Sequence, residues 1–217
     1  MSGIKWVGNK MKDTGYIGSN LMSIEEIEKA RAFHKSFPEY EQTPLTALNN
    51  LASELGLGGI YIKDESYRFG LNAFKVLGGS YAMAGFIAKK LGKNISELSY
   101  DMLISDEVKN NLGELIFYTA TDGNHGRGVA WAAKGMRVFA APLGNDKRII
   151  SGESGAVGLG FLTELMTKKP LKDLRDKLQL NEKSKILIFN SEGATDPDMY
   201  KSIVWDGEYP SFGNKGL

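Results

Sequence analysis

A glycine-containing turn between an apolar run and a helix-like run is the feature of this sequence that most restricts its fold. The run from Leu115 to Thr119 is continuously apolar, as in a strand buried within a parallel sheet. The turn from Thr121 to Gly126 follows it and leads into a predicted helix over 124–134. A helix that begins after such a turn directs backbone N–H groups at one point, where an anionic group can bind. The sequence therefore predicts a strand–turn–helix unit with an anion site.

A second segment places one lysine among apolar and small residues, at the start of a predicted helix. The segment runs from Arg68 to Ser80, and the helix is predicted from Lys75 to Leu91. A primary amine condenses with an aldehyde only when it is neutral, and apolar surroundings lower the pKa of a lysine. The alternative is a solvated lysine, the usual state of a lone lysine. Taken with the turn, the segment suggests a carbonyl cofactor bound through Lys75.

Composition excludes several other classes of protein. The chain has 217 residues, 42% of them hydrophobic and 24% charged, and a formal net charge of +1, which gives no electrostatic reason to expect nucleic acid or an acidic membrane as a partner. It has no cysteine and only two histidines, so disulfides, thiolate metal sites and a histidine metal cluster are excluded. No run approaches the roughly 18 apolar residues of a membrane helix. We expect a cytoplasmic protein without a metal.

Strand-like and helix-like segments alternate along the chain, and this pattern predicts the α/β class. The predicted strands, besides Leu115 to Thr119, are Gly59 to Lys63, Arg137 to Ala141 and Lys185 to Asn190. The predicted helices, besides those already given, are a helix from a capping box at Ser23 to about Ser36, Leu45 to Leu55 with a left-handed stop at Gly56, a helix plus turn over Asp101 to Glu114, Phe161 to Thr167, and Leu171 to Leu180.

Four segments resemble, in the same order, the signatures of the diaminopropionate ammonia-lyase family. They are Tyr67 to Ala82, Ala120 to Trp131, Ser151 to Gly158 and Ser191 to Asp196. This family belongs to the tryptophan-synthase-like, fold type II enzymes that use pyridoxal 5′-phosphate. The resemblance implies an open twisted sheet flanked by helices, a small amino-acid substrate, a homodimer, and no nucleic-acid or membrane partner.

The resemblance also assigns catalytic roles to two residues. Lys75 matches the lysine that binds the cofactor and removes the α-proton of the substrate. Asp122 matches a second base on the opposite face of the cofactor, which would let both enantiomers lose that proton. Without the resemblance, Asp122 is equally well explained as a helix N-cap.

Further residues match groups that contact the cofactor. Asn124 would donate a hydrogen bond to its 3′-oxygen, and Gly123 would let the backbone approach closely. Ser191 matches the residue that binds the pyridine nitrogen, and Glu153 would line the pocket; the simpler alternatives are a turn serine and a solvated carboxylate.

The sequence departs from the family by lacking a long internal stretch. The resemblance reaches Lys134 and resumes at Gly135, and the absent stretch includes the glycine loop that holds the cofactor's phosphate. We therefore expect one incomplete domain over 1–217, with parts of both the small and the large family domains and with apolar strand edges exposed. The glycine-rich stretch from Gly152 to Gly160 is a candidate replacement for the phosphate loop.

The reaction implied by the resemblance is the α,β-elimination of 2,3-diaminopropionate to pyruvate and ammonia. Two alternatives remain open. One is a related serine or threonine ammonia-lyase, against which the aspartate at position 122 argues. The other is an inactive, shortened remnant of the enzyme.

Overall fold

A computed structural model of the chain describes residues 23–113, 115 and 129–209. These residues form two compact units. The first contains residues 42–74 and 129–209, and the second contains residues 23–41, 75–113 and 115. The predicted strand from Leu115 to Thr119 and the turn from Thr121 to Gly126 lie outside the described residues, apart from Leu115 itself.

The first unit is built on three strands, β1 (Leu45–Ala47), β2 (Gly59–Asp64) and β3 (Lys185–Asn190), in the order β1-β2-β3. Strand β1 pairs antiparallel with β2, whereas β2 and β3 are parallel, with Gly59 beside Lys185 and Asp64 beside Asn190. The two parallel strands therefore end at the same edge of the sheet. The α/β class and the strands predicted at Gly59 and Lys185 are confirmed.

The described helices are distributed over both units, and their bounds are α1 (Ile24–Lys35), α2 (Asn49–Glu54), α3 (Val76–Leu91), α4 (Tyr100–Leu103), α5 (Asp106–Leu112), α6 (Val129–Ala140), α7 (Glu153–Thr167), α8 (Lys172–Lys177) and α9 (Pro197–Val204). Short 3-10 turns occur at Glu65–Gly70, Ile95–Glu97 and Lys169–Leu171. None of the helices in these ranges has the length and apolarity needed to cross a membrane.

One face of the sheet supplies the core of the first unit. Ile60, Ile62 and Ile188 are buried in one cluster with side chains of α6 and α7, among them Met136 and Leu159. The alternate residues of β3 lie on the other face, where Leu187 is 54% exposed and Phe189 is 60% exposed. Strand β3 is also the last of the three described strands, so no described strand pairs with its outer edge, and this face of β3 is apolar and exposed.

The prediction of a strand from Arg137 to Ala141 is wrong, because α6 continues through this stretch to Ala140. Ala132, Met136 and Phe139 are buried at helical spacing, which fixes the helix. Gly135 does not end it. A Cβ at Gly135 would lie 2.1 Å from the carbonyl oxygen of Ala156 in α7, so this glycine permits two helices to pack closely. The helix is also continuous across positions 134 and 135, where the family segment is predicted to be missing.

The predicted helix from Leu45 to Leu55 is correct only in its second half. Leu48, Leu51 and Leu55 are buried, but Leu45 is 62% exposed and lies in β1, opposite Lys63 of β2. Pairing with a distant strand thus overrides the local helical spacing. The helix ends as predicted, since Gly56 is left-handed with φ of 66°.

The second unit packs α1 against α3 around an aromatic cluster. Phe33, Ala84, Ala88 and Leu98 are its buried apolar residues. The ring of Phe33 lies edge-on to that of Tyr81, with 5.7 Å between their centroids. This packing fixes helix α3, whose first residue follows Lys75, and the helix predicted over Lys75 to Leu91 is confirmed.

A buried ion pair joins the end of β2 to the loop before β1. Arg68 donates to both carboxylate oxygens of Glu65, at 2.9 and 3.0 Å, and the Thr43 hydroxyl donates to Glu65 Oε1 at 2.6 Å. Burial acts to raise the pKa of Glu65, but the hydrogen bonds from Arg68 and Thr43 outweigh it and hold that pKa below its ordinary value of 4.5.

Stability should consequently fall in acid. The pKa of Glu65 is lower in the folded chain than in the unfolded chain. The Glu65 carboxylate therefore stabilises the fold at pH values above about 4.5, and this stabilisation is lost as the pH falls through the folded-state pKa. We expect Glu65→Gln to lower the free energy of unfolding by roughly 2 kcal/mol at pH 7, since it removes the buried carboxylate that Arg68 and Thr43 bind. Denaturant unfolding of both proteins at pH 7 and pH 3 measures this. If the difference in unfolding free energy between the two proteins is as large at pH 3 as at pH 7, the assigned role of the Glu65 carboxylate is contradicted.

Candidate active site

Two of the sequence signatures meet in the first unit as a short antiparallel pairing. The N–H of Phe74 donates to the carbonyl of Ser191 at 3.1 Å, and the N–H of Gly193 donates to the carbonyl of Asn72 at 3.0 Å. Ala73 and Glu192 form the bridge between these bonds. The segment that precedes Lys75 is therefore held against the segment that follows β3.

Glu192 also binds a third signature. Its backbone carbonyl accepts the N–H of Gly152, and its side-chain Oε1 accepts the N–H of Ser154, both at 3.2 Å. Helix α7 begins after Gly152, which has no side chain to cap it, so the buried Glu192 carboxylate takes the place of a local cap. A carboxylate at a helix N-terminus also interacts favourably with the helix dipole.

Sequence reasoning missed Glu192. The signal that could have identified it is the combination of a helix start at a glycine with a carboxylate just after the neighbouring strand.

Two glycines of these signatures permit close contacts rather than forming a phosphate loop. A Cβ at Gly193 would lie 2.0 Å from Asn72 Oδ1, and one at Gly155 would lie 2.1 Å from Asn190 Oδ1. Gly158 and Gly160 lie inside α7, where backbone N–H groups donate along the helix. The proposed phosphate cradle from Gly152 to Gly160 is therefore wrong.

A buried polar chain lies at the ends of the parallel strands. The Asn190 amide donates to Asp64 Oδ1 at 2.8 Å and accepts from the Ser151 hydroxyl at 2.7 Å. Asn190 and Ser151 are fully buried, and Asp64 is 5% exposed. The chain joins the ends of β2 and β3 to the residue before the cap of α7, and it fixes the direction in which the Asp64 carboxylate points.

A cavity of about 470 Å³ opens at this edge of the sheet. Its polar lining includes Asp64, Ser66, Asn72 and Arg148, and Ala194 and Ile150 are among its other walls. Ligands of open α/β sheets bind beyond the carboxyl ends of the strands, and this volume lies in the range of small-molecule sites.

Lys75 belongs to the second unit, where it is the residue before α3. It is exposed in the structure, so the apolar surroundings expected from the sequence are not present among the described residues. The first turn of α3 is held by His34 of α1, whose Nε2 lies 3.0 Å from the carbonyl oxygen of Leu77 and 3.2 Å from Ser80 Oγ. His34 is buried and therefore positions the helix start next to Lys75, a role that sequence reasoning did not identify.

The remaining predicted site residues are placed as follows. Ser191 is half-buried directly after β3, and Glu153 is the half-buried first residue of α7. Asp122, Gly123 and Asn124 lie outside the described residues. The functional roles of all of them stay predictions. No group of three or more histidine or acidic side chains suited to a metal ion occurs in the described ranges.

The cap on α7 gives a direct test of this arrangement. Glu192→Ala removes the acceptor for the Ser154 N–H and should lower the free energy of unfolding by roughly 2 kcal/mol. Glu192→Gln keeps a side-chain oxygen and should lower the free energy of unfolding by less. The exposed Glu182→Ala is the control and should change stability by less than about 0.5 kcal/mol. Equal stability of the Glu192→Ala and Glu182→Ala proteins in urea would show that Glu192 is not a cap.

Comparison with known proteins agrees with this geometry. Residues 37–146, half of the chain, match the family described as "Pyridoxal-phosphate dependent enzyme". The diaminopropionate ammonia-lyase of Salmonella typhimurium is 58% identical over 109 residues, which are 50% of this chain but only 27% of that protein. The matched segment thus spans about a quarter of that relative's length.

Solved structures of one relative resemble nearly the whole chain. The apo structure of Escherichia coli diaminopropionate ammonia-lyase matches with a TM-score of 0.77 and 27% identity, covering 88% of this chain and 94% of that one. The complex of the same enzyme with D-serine matches with a TM-score of 0.75 and 23% identity, covering 89% and 95%. These findings confirm the family resemblance, and the chain belongs to the pyridoxal-phosphate dependent enzymes.

Proposed function

We propose that this chain catalyses the pyridoxal-phosphate-dependent α,β-elimination of 2,3-diaminopropionate, with water, to pyruvate and two ammonia molecules. The observation that carries the proposal is the pairing of Asn72 and Phe74 with Gly193 and Ser191. It joins the segment that leads into Lys75 with the segment that contains the predicted partner of the cofactor's pyridine nitrogen. The 58% identity of half the chain to a diaminopropionate ammonia-lyase supports the choice of substrate.

The described residues fit the ring end of the cofactor. The half-buried Ser191 hydroxyl makes no hydrogen bond within the described residues, so it is available to the pyridine nitrogen. Gly193 permits the Asn72 side chain to lie against the backbone beside it, where any Cβ would collide. Lys75 is exposed and stands at a helix start, which leaves its amine accessible.

The residues that contact the cofactor have different tasks in the proposal. Lys75 holds the cofactor through Nζ, and the Ser191 hydroxyl donates to the pyridine nitrogen. Because Ser191 is neutral, it leaves the ring unprotonated, which favours elimination over transamination. Asn124 donates to the 3′-oxygen, Gly123 lets the backbone approach closely, and Glu153 lines the pocket.

Proton transfer is assigned to Lys75 and Asp122. Either group removes the substrate's α-proton, Lys75 from one face and Asp122 from the other. The bound cofactor supplies an electron sink for the charge that forms at the α-carbon. The β-amino group then leaves as the first ammonia.

Covalent labelling tests the role of Lys75. The chain is incubated with pyridoxal phosphate, reduced with borohydride and digested, and the peptides are analysed by mass spectrometry. We expect the label on Lys75 and its loss in Lys75→Ala, since a primary amine is required. Lys89→Ala, at the far end of α3, is the matched control and should keep the label. Labelling of Lys75→Ala at an undiminished level would refute the assignment.

Ammonia release then distinguishes the candidate activities. Release from 2,3-diaminopropionate but not from serine supports the proposal. Release mainly from serine or threonine favours the related ammonia-lyase. A labelled chain that releases none from any of the three is the inactive remnant, which the match to only a quarter of the relative's length also favours.

We also propose a homodimer that acts in the cytoplasm and contains parts of both family domains, joined at positions 134 and 135. The family resemblance supports all three statements. Light scattering of the purified chain measures the assembly, and a monomeric mass would contradict the dimer.

A further inference from the structure

Asp64 is a buried carboxylate without a cationic partner in the described part of the chain. Its Oδ1 accepts three hydrogen bonds, from the Ser66 N–H at 3.2 Å, the Ser66 hydroxyl at 2.7 Å and the Asn190 amide at 2.8 Å. All three donors are neutral, and no described residue binds Oδ2. Asp64 is 5% exposed and lines the 470 Å³ cavity, so its carboxylate forms part of the wall of that cavity.

Arg148 supplies the opposite charge on the same cavity. Its guanidinium is exposed, lines the cavity and forms no ion pair or hydrogen bond within the described ranges. A guanidinium binds a carboxylate through two parallel N–H donors. Although Asp64 and Arg148 line one cavity, they do not pair with each other, so each remains available to a ligand.

We propose that this cavity binds a small zwitterionic amino acid, with its carboxylate at Arg148 and an ammonium group at Asp64. The inference rests on the proposed function for its preferred ligand, 2,3-diaminopropionate, whose second amino group adds to the attraction of Asp64. It assigns substrate recognition to residues that none of the four sequence signatures identifies, apart from Asn72, which lines the same cavity.

The charges of the cavity disfavour a phosphate at this place. A phosphate carries up to two negative charges, and the buried Asp64 carboxylate in the same wall repels it. An amino acid instead matches both charges. The Asn72 amide adds a neutral donor and acceptor beside them, and the Ser66 hydroxyl keeps Oδ1 occupied, which leaves Oδ2 to the ligand.

Calorimetric titration of the full chain without added pyridoxal phosphate tests the site. The probes are 2,3-diaminopropionate, propionate, propylamine and inorganic phosphate. We expect 2,3-diaminopropionate to bind at least about tenfold more tightly than the other three, because only it engages both charges. Equal affinity for propionate, or tighter binding of phosphate, would overturn the proposal.

The variants separate Arg148 from general surface charge. Arg148→Gln should weaken the binding of 2,3-diaminopropionate by about tenfold, as expected for a lost charge-assisted hydrogen bond. Lys147→Gln removes the neighbouring exposed charge, outside the cavity lining, and should leave affinity unchanged. If Arg148→Gln and Lys147→Gln weaken the binding of 2,3-diaminopropionate equally, the role assigned to Arg148 is overturned.

Asp64→Asn should abolish the preference for 2,3-diaminopropionate over propionate, and circular dichroism shows whether it folds. If Asp64→Asn does not fold, the titrations with the four probes and with the Arg148→Gln protein still test the proposed site. Because no cofactor is present, this titration reports on the cavity alone. If Lys75 is not labelled but 2,3-diaminopropionate still binds in the titration, the proposed function is refuted and the amino-acid site stands. If Lys75 is labelled but 2,3-diaminopropionate does not bind, the amino-acid site is refuted and the proposed function stands.

Discussion

The buried carboxylate of Glu192 is the contact on which the geometry of the candidate site depends. Its side chain caps helix α7, its carbonyl accepts from Gly152, and it lies in the bridge opposite Ala73. One residue therefore fixes a helix start, the exit of β3 and the segment before Lys75. The interactions support one another, because the backbone bridge holds the side chain at a place where it reaches the Ser154 N–H.

The fold could be predicted from the sequence wherever local pattern and tertiary contact agree. The residues of β2 and β3 by themselves specify strands, and the apolar residues of α3 have helical spacing throughout. The errors occur where a distant partner decides. Gly135 has the features of a helix stop, but the carbonyl of Ala156 requires a glycine within a continuous helix. Leu45 fits a helix, but pairing with Lys63 places it in a strand.

The site shows the same division. The roles of Lys75 and Ser191 are predicted from long segments that resemble a family, and that information is local. Glu192, His34 and Asp64 were not identified, because their roles come from partners far away along the chain: the N-terminus of α7, the first turn of α3 and the Asn190 amide. A single sequence specifies such roles only through the fold, so no local motif indicates them.

The uncovered side of the sheet and the polar chain beneath the cavity have different consequences for function. Leu187 and Phe189 are exposed on β3, where a parallel sheet is normally covered. The chain from Asp64 through Asn190 to Ser151 is complete within one compact unit and needs no further strand. The wall that would recognise an amino acid is thus held by contacts internal to this unit, whereas no glycine loop for a phosphate occurs in the described residues. If both proposals hold, binding of the cofactor and recognition of the substrate depend on different contacts in this chain, and either can be lost without the other.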